Sequence, residues 1–319
     1  MPRESFVGQW FCLGFAAGVA ALFLVPHLTI HLGILSAGFN NVKARSGIVQ
    51  HLDSREWTQR GREATDDQLS QAEPLSASKY SKKKVLKIDS KTVVKLAPDL
   101  DMTEVDNLVF IRSRTTIPVP KILNAYEKDG CQYVVMEFLE GEKLESAWPK
   151  LSVEDRESIC SELHEYLGQM RNIPAPKALI GSVSGGPAVD RRSLGALKGG
   201  PFACEEEFNK WQLEQLRDNT PLLNQDMYAA MHRTDHKIVF SHGDLGFHNI
   251  MIRDGHITAI LDWEYAGWYP EHWDFCKSLQ FLAGTDEHYQ FGKKAFGKTY
   301  LGEFHMDTWF TREVKHGGW

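Results

Sequence analysis

The stretch that most narrows what this chain can fold into is Ile238 to Trp263, I-V-F-S-H-G-D-L-G-F-H-N-I-M-I-R-D-G-H-I-T-A-I-L-D-W. The apolar, β-branched run Ile238–Phe240 predicts a strand, and the polar Ser241–Asn249 a loop. Two further apolar runs, Ile250–Ile252 and Ile257–Leu261, flank Asp254-Gly255, a dipeptide suited to a tight hairpin turn. Asp262 ends the second run. Short, stiff elements thereby hold three polar side chains, Asp244, Asn249 and Asp262, at one end of a hairpin.

That trio suits phosphoryl transfer. A phosphoryl group passing between two oxygens asks for a carboxylate beside the attacking hydroxyl. It also asks for hard oxygen ligands to the Mg²⁺ that offsets phosphate charge. Asp244 fits the first task, and Asn249 and Asp262 fit the second. The spacing Asp-x-x-x-x-Asn is that of a kinase catalytic loop, and D-W-E (Asp262–Glu264) stands where D-F-G would fall.

H-G-D-x-x-x-x-N followed by I-L-D-W resembles the aminoglycoside phosphotransferase and choline kinase family, whose fold is protein-kinase-like. The flanking I-P-V-P-K (Ile117–Lys121), V-M-E-F-L-E-G (Val135–Gly141) and W-E-Y-A-G-W-Y-P-E-H-W-D (Trp263–Asp274) are similar to its fungal branch in particular. The resemblance runs from Val85 to Leu282. It implies an α+β, two-lobe fold with a small β-rich N-lobe and a larger, mainly helical C-lobe. It further implies an ATP- and Mg²⁺-dependent O-phosphotransferase that acts on a hydroxyl of a small molecule.

Within that frame, Val85–Ile88 and Thr92–Leu96 are two β-rich runs joined by Asp89-Ser90-Lys91, a hairpin. Lys95 resembles the lysine that contacts the α- and β-phosphates. Its carboxylate partner on the next helix is Glu104, which shares helical spacing with Leu108 and Ile111; Asp106 is the competitor. Pro118 and Pro120 end that helix. Ile122–Tyr126 and Cys131–Met136 predict strands, and Glu137-Phe138-Leu139 an inter-lobe hinge whose main chain meets adenine. No G-x-G-x-x-G precedes Val85, so either Ser76-Ala77-Ser78 covers the phosphates or the lobe is truncated. The basic run Lys79–Lys84 reads as solvated surface or as a phosphate or anionic-lipid contact.

In the C-lobe, Ser152 caps a helix carrying Ile159, Leu163, Tyr166, Leu167 and Met170 as one apolar stripe, with His164 packed or exposed beside it. Asn172–Pro201, rich in Gly and Pro, predicts a long loop, and in the resembling family this region shapes the acceptor pocket. Glu205-Glu206-Glu207 is a helix start or a cation-binding patch. The aromatic run after Asp262 is either packed or substrate-lining, and it offers Tyr265, Trp268, Glu271 and Asp274 as acceptor contacts. His242 is expected to orient the loop backbone.

Composition sets the outer bounds. With 319 residues and 42% hydrophobic content the chain can bury a two-lobed core. A net charge of −6 supplies no basic field for nucleic acid. Five scattered cysteines without a C-x-x-C pair suit a reducing compartment. Residues 1–38 form an apolar segment, 39–81 a polar linker with one short helix near Asp66–Gln71, 82–140 the N-lobe and 141–319 the C-lobe. Phe11 to Leu35 lacks Asp, Glu, Lys and Arg over 25 residues, long enough for a membrane anchor, although a cleaved signal or a packed helix would share that composition. An anchor with Lys43, Arg45, Arg55, Arg60 and Arg62 downstream would leave the catalytic domain cytoplasmic. Two rivals stand beside the phosphotransferase: a protein kinase, disfavoured by H-G-D and the missing A-P-E segment, and a nucleotide-binding or non-catalytic scaffold, favoured by the missing glycine loop.

Overall fold

The computed structural model describes residues 61–75, 82–177, 179–192, 195–281 and 286–314, all within the compact unit Gln50–Trp319. Phe11–Leu35 and Ser76-Ala77-Ser78 lie outside the described residues. Among the described residues no helix is long and apolar enough to cross a membrane.

The first lobe is a five-stranded antiparallel sheet in the order β1-β2-β3-β5-β4, formed by Glu73–Pro74, Lys84–Lys87, Thr92–Ala97, Cys131–Glu137 and Ile122–Lys128 respectively. Strand alternation decides its two faces. β3 sends Val93, Lys95 and Ala97 towards helix α2 (Thr103–Arg114), which answers with Val105, Leu108 and Ile111. Val94 and Leu96 point the other way, against Tyr126 and Val135. That second face is closed by Ala64 and Leu69, the latter on α1 (Asp66–Gln71). Ala64 N–H donates to Tyr126 Oη at 3.0 Å, and Pro74 pairs with Leu86. The end of the stretch expected to be a linker is therefore part of the sheet lobe. Its two-residue strand is too short to show a period in sequence.

The second lobe begins with β6 (Glu142–Lys143), α3 (Leu144–Ala147) and α4 (Val153–Arg171). Ser152 Oγ accepts from Asp155 N–H at 3.0 Å, and Ile159, Cys160, Leu163, Leu167 and Met170 form the buried stripe of α4. His164 packs, with Nδ1 2.9 Å from Ala295 O. The region expected to be a loop holds an antiparallel hairpin, β7 (Ala188–Arg192) and β8 (Gly195–Gly199). Helices α5 (Glu205–Glu214) and α6 (Leu222–Met231) follow. β9 (Ile238–Ser241) pairs with β12 (Gly267–Pro270), and between them lies the hairpin β10 (Ile250–Arg253) and β11 (His256–Ile260). Asp254 and Gly255 both have positive φ, 53° and 76°, as the sequence of this turn requires. Helices α7 (Trp273–Phe281), α8 (Asp286–Phe296) and α9 (Leu301–Glu313) complete the lobe. One apolar cluster runs from Val93 on the sheet through Ile159 on α4 to Phe275 on α7, so the two lobes share a core.

His272, between β12 and α7, is buried with Nδ1 unpartnered among the described residues. Burial, reinforced by His236, pushes its imidazole down from 6.5 to about 3. The unfolded chain therefore takes up the proton first as pH falls. The stability His272 contributes as a neutral ring is present above 6.5 and is lost progressively towards 3. His272→Phe keeps the packing and removes the titration. Urea unfolding of both proteins at pH 7 and pH 5 should show the wild type losing stability relative to the variant, by roughly 1.4 kcal/mol for each pH unit below the unfolded value.

Candidate active site

The loop after β9 is held by groups that leave its backbone little freedom. Asp274, at the start of α7, accepts from His242 N–H at 3.0 Å and Gly243 N–H at 2.8 Å. Burial pushes the Asp274 carboxyl up despite those two donors. Gly243 sits at φ +81°, and a Cβ there would meet Tyr265 O at 2.5 Å, so glycine is required. His242 is buried and burial lowers its pKa. Its Nε2 lies 3.0 Å from Leu261 O and its Nδ1 accepts from Asp244 N–H at 3.2 Å. A neutral ring with its proton on Nε2 satisfies both bonds. His242 thus orients the loop, as expected.

This scaffold presents Asp244 and Asn249 together. Asn249 Nδ2 donates to Asp244 O at 2.9 Å and to Asp244 Oδ2 at 3.2 Å, which turns the amide oxygen away from the carboxylate. Asp244 Oδ1 bonds the Arg191 guanidinium, and His248 Nε2 lies 3.6 Å from Oδ2. Asp262 follows β11 in the left-handed region (φ 63°, ψ 63°), a conformation aspartate tolerates better than most residues. Asn107 on α2 braces the turn beyond it, donating to Trp263 O at 2.7 Å and Ala266 O at 3.2 Å.

From the sheet lobe, Lys95 reaches into the same place. Its Nζ lies 2.7 Å from Glu104 Oε2, 2.7 Å from Asp262 Oδ1 and 3.9 Å from Glu264 Oε2. Lys83 also pairs with Glu264. Burial opposes the charge on Lys95, but Glu104, Asp262 and Glu264 outweigh it and hold the ammonium above its ordinary range. Burial, only partly offset by Lys95, pushes Glu104 up to about 7. Burial acts on Asp262 too, yet Lys95 keeps that carboxyl below the usual carboxylate range. Glu104, Asp262 and Glu264 bring ligand atoms within 4.8 Å of one another.

A cavity of about 480 Å³ opens between the lobes, lined by Val85, Val93, Lys95, Met136, Asn249 and Asp262 among others. Glu137 and Leu139 of the hinge also line it. The N–H groups of Glu137 and Phe138 are already taken by Lys121 O at 2.9 Å and Lys91 O at 2.7 Å. Leu75 and Lys83, at the two ends of the β1–β2 connection, also face this cavity. The sequence between them contains no glycine.

Asp244, Asn249, Asp262, Lys95 and Glu104 thus come together, whereas Asp106 is no partner of Lys95 and engages Ser184 instead. The expected acceptor contacts divide. Tyr265 lies beside Arg191, with its ring centroid 5.8 Å from the guanidinium carbon. Trp268 is 2% exposed within β12 and Asp274 is consumed by the loop backbone, so neither meets a substrate. Glu271 pairs with Lys298 at 2.8 Å beyond the far end of β12. The aromatic run is core and strand, and its density signals packing. The acidic triplet is likewise structural: Glu205 holds His236 at 2.6 Å and Glu207 accepts from Ala203 N–H at 2.8 Å. Glu264, Asn107 and Arg191 were not singled out from sequence, and Lys83 only as part of the basic run Lys79–Lys84. Glu264 had an adjacent signal, the D-W-E triplet.

A two-lobed kinase-like fold in which a lysine–glutamate pair meets Asp262, beside the loop that carries Asp244 and Asn249, is the architecture of a phosphotransferase class. The profile of the phosphotransferase enzyme family matches residues 75–305, and the chain belongs to that family. Three solved structures illustrate the likeness. A thermostable mutant of aminoglycoside phosphotransferase APH(4)-Ia, in ternary complex with ADP and hygromycin B, aligns with TM-score 0.53 at 15% identity, covering 76% of this chain and 86% of that one. ADP-bound APH(2'')-Ib aligns with TM-score 0.51 at 16% identity, covering 74% and 80%. The gentamicin complex of APH(2'')-IIa aligns with TM-score 0.50 at 15% identity, covering 76% and 82%. At such identity these likenesses carry the fold alone. A search of curated protein sequences found no match.

Asp274→Ala strips two buried N–H groups of their acceptor. It should cost roughly 2–5 kcal/mol in urea unfolding, since each orphaned donor bears its own desolvation penalty. Asp274→Asn, which retains one acceptor oxygen, should cost about half as much.

Proposed function

We propose that the protein transfers the γ-phosphoryl group of ATP, with Mg²⁺, to a hydroxyl of a small molecule. The observation that carries this proposal is the convergence of Lys95, held by Glu104, with Asp262 and Asn249 on one inter-lobe cavity, beside Asp244. Adenine would lie against Val85, Val93 and Met136, with the Leu139 main chain as its hinge partner. Lys95, held by Glu104, would bind the α- and β-phosphates.

The donor set suits Mg²⁺. Asp262 is ionised and its side chain is 37% exposed, while the Asn249 amide oxygen is turned away from Asp244. These are two hard oxygen ligands of the kind this ion prefers. When bound, the ion would offset charge on the phosphates. The remaining work is done by the chain: Asp244 positions the acceptor hydroxyl and takes its proton, and Asn249 fixes the Asp244 carboxylate. Positioning and charge complementarity supply most of the rate in this chemistry.

The glycine-free β1–β2 connection favours a second reading, a scaffold that binds nucleotide weakly or not at all. Melting the protein with millimolar Mg-ATP separates the two, because binding raises stability as RT ln(1 + [L]/Kd). We also propose that the catalytic unit faces the cytoplasm, with Phe11–Leu35 as its anchor. Screening hydroxylated compounds for an ATP-dependent mass gain of one phosphate should identify an acceptor. Asp244→Ala should then lower turnover by about 10²–10⁴-fold while keeping the Mg-ATP shift in melting temperature. Asp262→Ala should lose both, and His164→Ala neither.

A further inference from the structure

Three segments that the sequence keeps apart meet at the end of the β9–β12 ladder where Ile238 pairs with Pro270. His236 stands two residues before β9, His272 two residues after β12, and Glu205 opens α5. The His236 and Glu205 side chains are 2% and 3% exposed, and His272 is 8% exposed. Glu205 holds His236 twice, with Oε2 accepting from its backbone N–H at 3.0 Å and Oε1 lying 2.6 Å from Nδ1. At the other ring nitrogen, Nε2 lies 3.2 Å from Glu303 Oε1 on α9, and Glu303 is in turn 3.5 Å from the Arg233 guanidinium. The His272 ring packs against that of His236 with centroids 4.5 Å apart. Ligand atoms of Glu205, His236 and His272 lie within 4.8 Å of one another.

Two features of this cluster exceed what tying a helix to a strand requires. Buried polar atoms are nearly all partnered, and an exception points to an ion or water that completes it. His272 Nδ1 is such an exception among the described residues. The second feature is the order of groups around His236. A metal-bound imidazole characteristically donates its remaining N–H to a carboxylate, which fixes the tautomer and the ring. Glu303 already holds Nε2 in that way, leaving Nδ1 to face Glu205. Two imidazoles and one carboxylate make a nitrogen-rich donor set that suits Zn²⁺, whereas Mg²⁺ and Ca²⁺ ask for oxygen alone. Ligand atoms about 2.0–2.1 Å from a tetrahedral Zn²⁺ stand roughly 3.3 Å from one another. Glu205 and His236 would therefore part slightly, and His272 would draw in.

We infer that Glu205, His236 and His272 form a structural site for a divalent metal ion of the zinc class, with Glu303 orienting His236 from behind. The site shares no residue with the inter-lobe cavity. The ion takes the place of the proton between Glu205 Oε1 and His236 Nδ1, which leaves for solvent, and Nε2–H stays on Glu303. It gives His272 the partner it lacks, takes a water as fourth ligand, and fastens α5 and α7 to the entry of β9. The full chain tests this after it is stripped with EDTA and Zn²⁺ alone is returned. Equilibrium dialysis at micromolar free Zn²⁺ should show the wild type holding one ion more per chain than His272→Phe or Glu205→Gln, with Asp262→Ala holding as many as the wild type less any at the inter-lobe cavity. Zn²⁺ at about 100-fold over Kd should raise the melting temperature of the wild type roughly 5 °C more than that of either variant. X-ray absorption on the wild type loaded with one equivalent needs no variant to fold, and it should give a shell of nitrogen and oxygen that includes two imidazoles. The inference is overturned if the wild type retains no zinc, if it retains no more than both variants, or if the shell contains sulfur or fewer than two imidazoles. The chain Glu205–His236–Glu303 is then an ion-paired imidazole alone.

Discussion

A single buried ammonium ties the two lobes together at the point where chemistry is proposed. Lys95 comes from the sheet, Glu104 from α2, and Asp262 and Glu264 from the turn after β11. With Lys83, two cations face three acids, so the cluster carries more negative than positive charge. Burial makes that excess costly, and it is relieved on Glu104, the most enclosed of the three and the one pushed up to about 7. Under the proposed function, phosphates arriving with Mg²⁺ on Asp262 and Asn249 would let Lys95 give up Asp262 and remain paired with Glu104, so that little reorganisation would be asked of the lysine.

The support behind this cluster comes from the same 37 residues, Ile238 to Asp274, that carry the reactive groups. β9 enters the loop and β12 leaves it, paired from Ile238↔Pro270 to Ser241↔Gly267. Asp274 turns back to hold the backbone of His242 and Gly243. His242 then joins the loop to Leu261 at the end of β11. Each bond closes a short circuit within the segment. Its geometry depends on local pairing more than on distant packing.

Such locality explains what sequence could show. Alternating apolar strands, an Asp-Gly turn and fixed spacing between polar residues are short-range signals, and they located Asp244, Asn249 and Asp262. Lys95 was reached through the family resemblance, and Glu104, 9 residues on, through its helical spacing with Leu108 and Ile111. Trp268 and Asp274 were misassigned as acceptor contacts for a related reason. Residue type alone does not reveal that Trp268 faces Phe240 across a strand pair, or that Asp274 serves main-chain donors 31 and 32 residues earlier. The β7–β8 hairpin was invisible because its buried face is ionic. Its charges looked like loop composition, and their partners on α9 stand 115 and 119 residues further along.

That ionic face is also what gives the hairpin its meaning. Replacing a buried ion-pair set by apolar residues is often neutral or stabilising, so stability alone is a weak reason for having one. What charges do supply is register. An apolar strand can slide along its neighbours at modest cost, and a slip of one residue reverses every side chain. Asp190 and Arg192 forbid both movements, since either would leave Lys277 and Asp307 charged, buried and mispaired. The residue whose position gains from this precision is the one between them. Arg191 is fixed over Asp244 by its two neighbours.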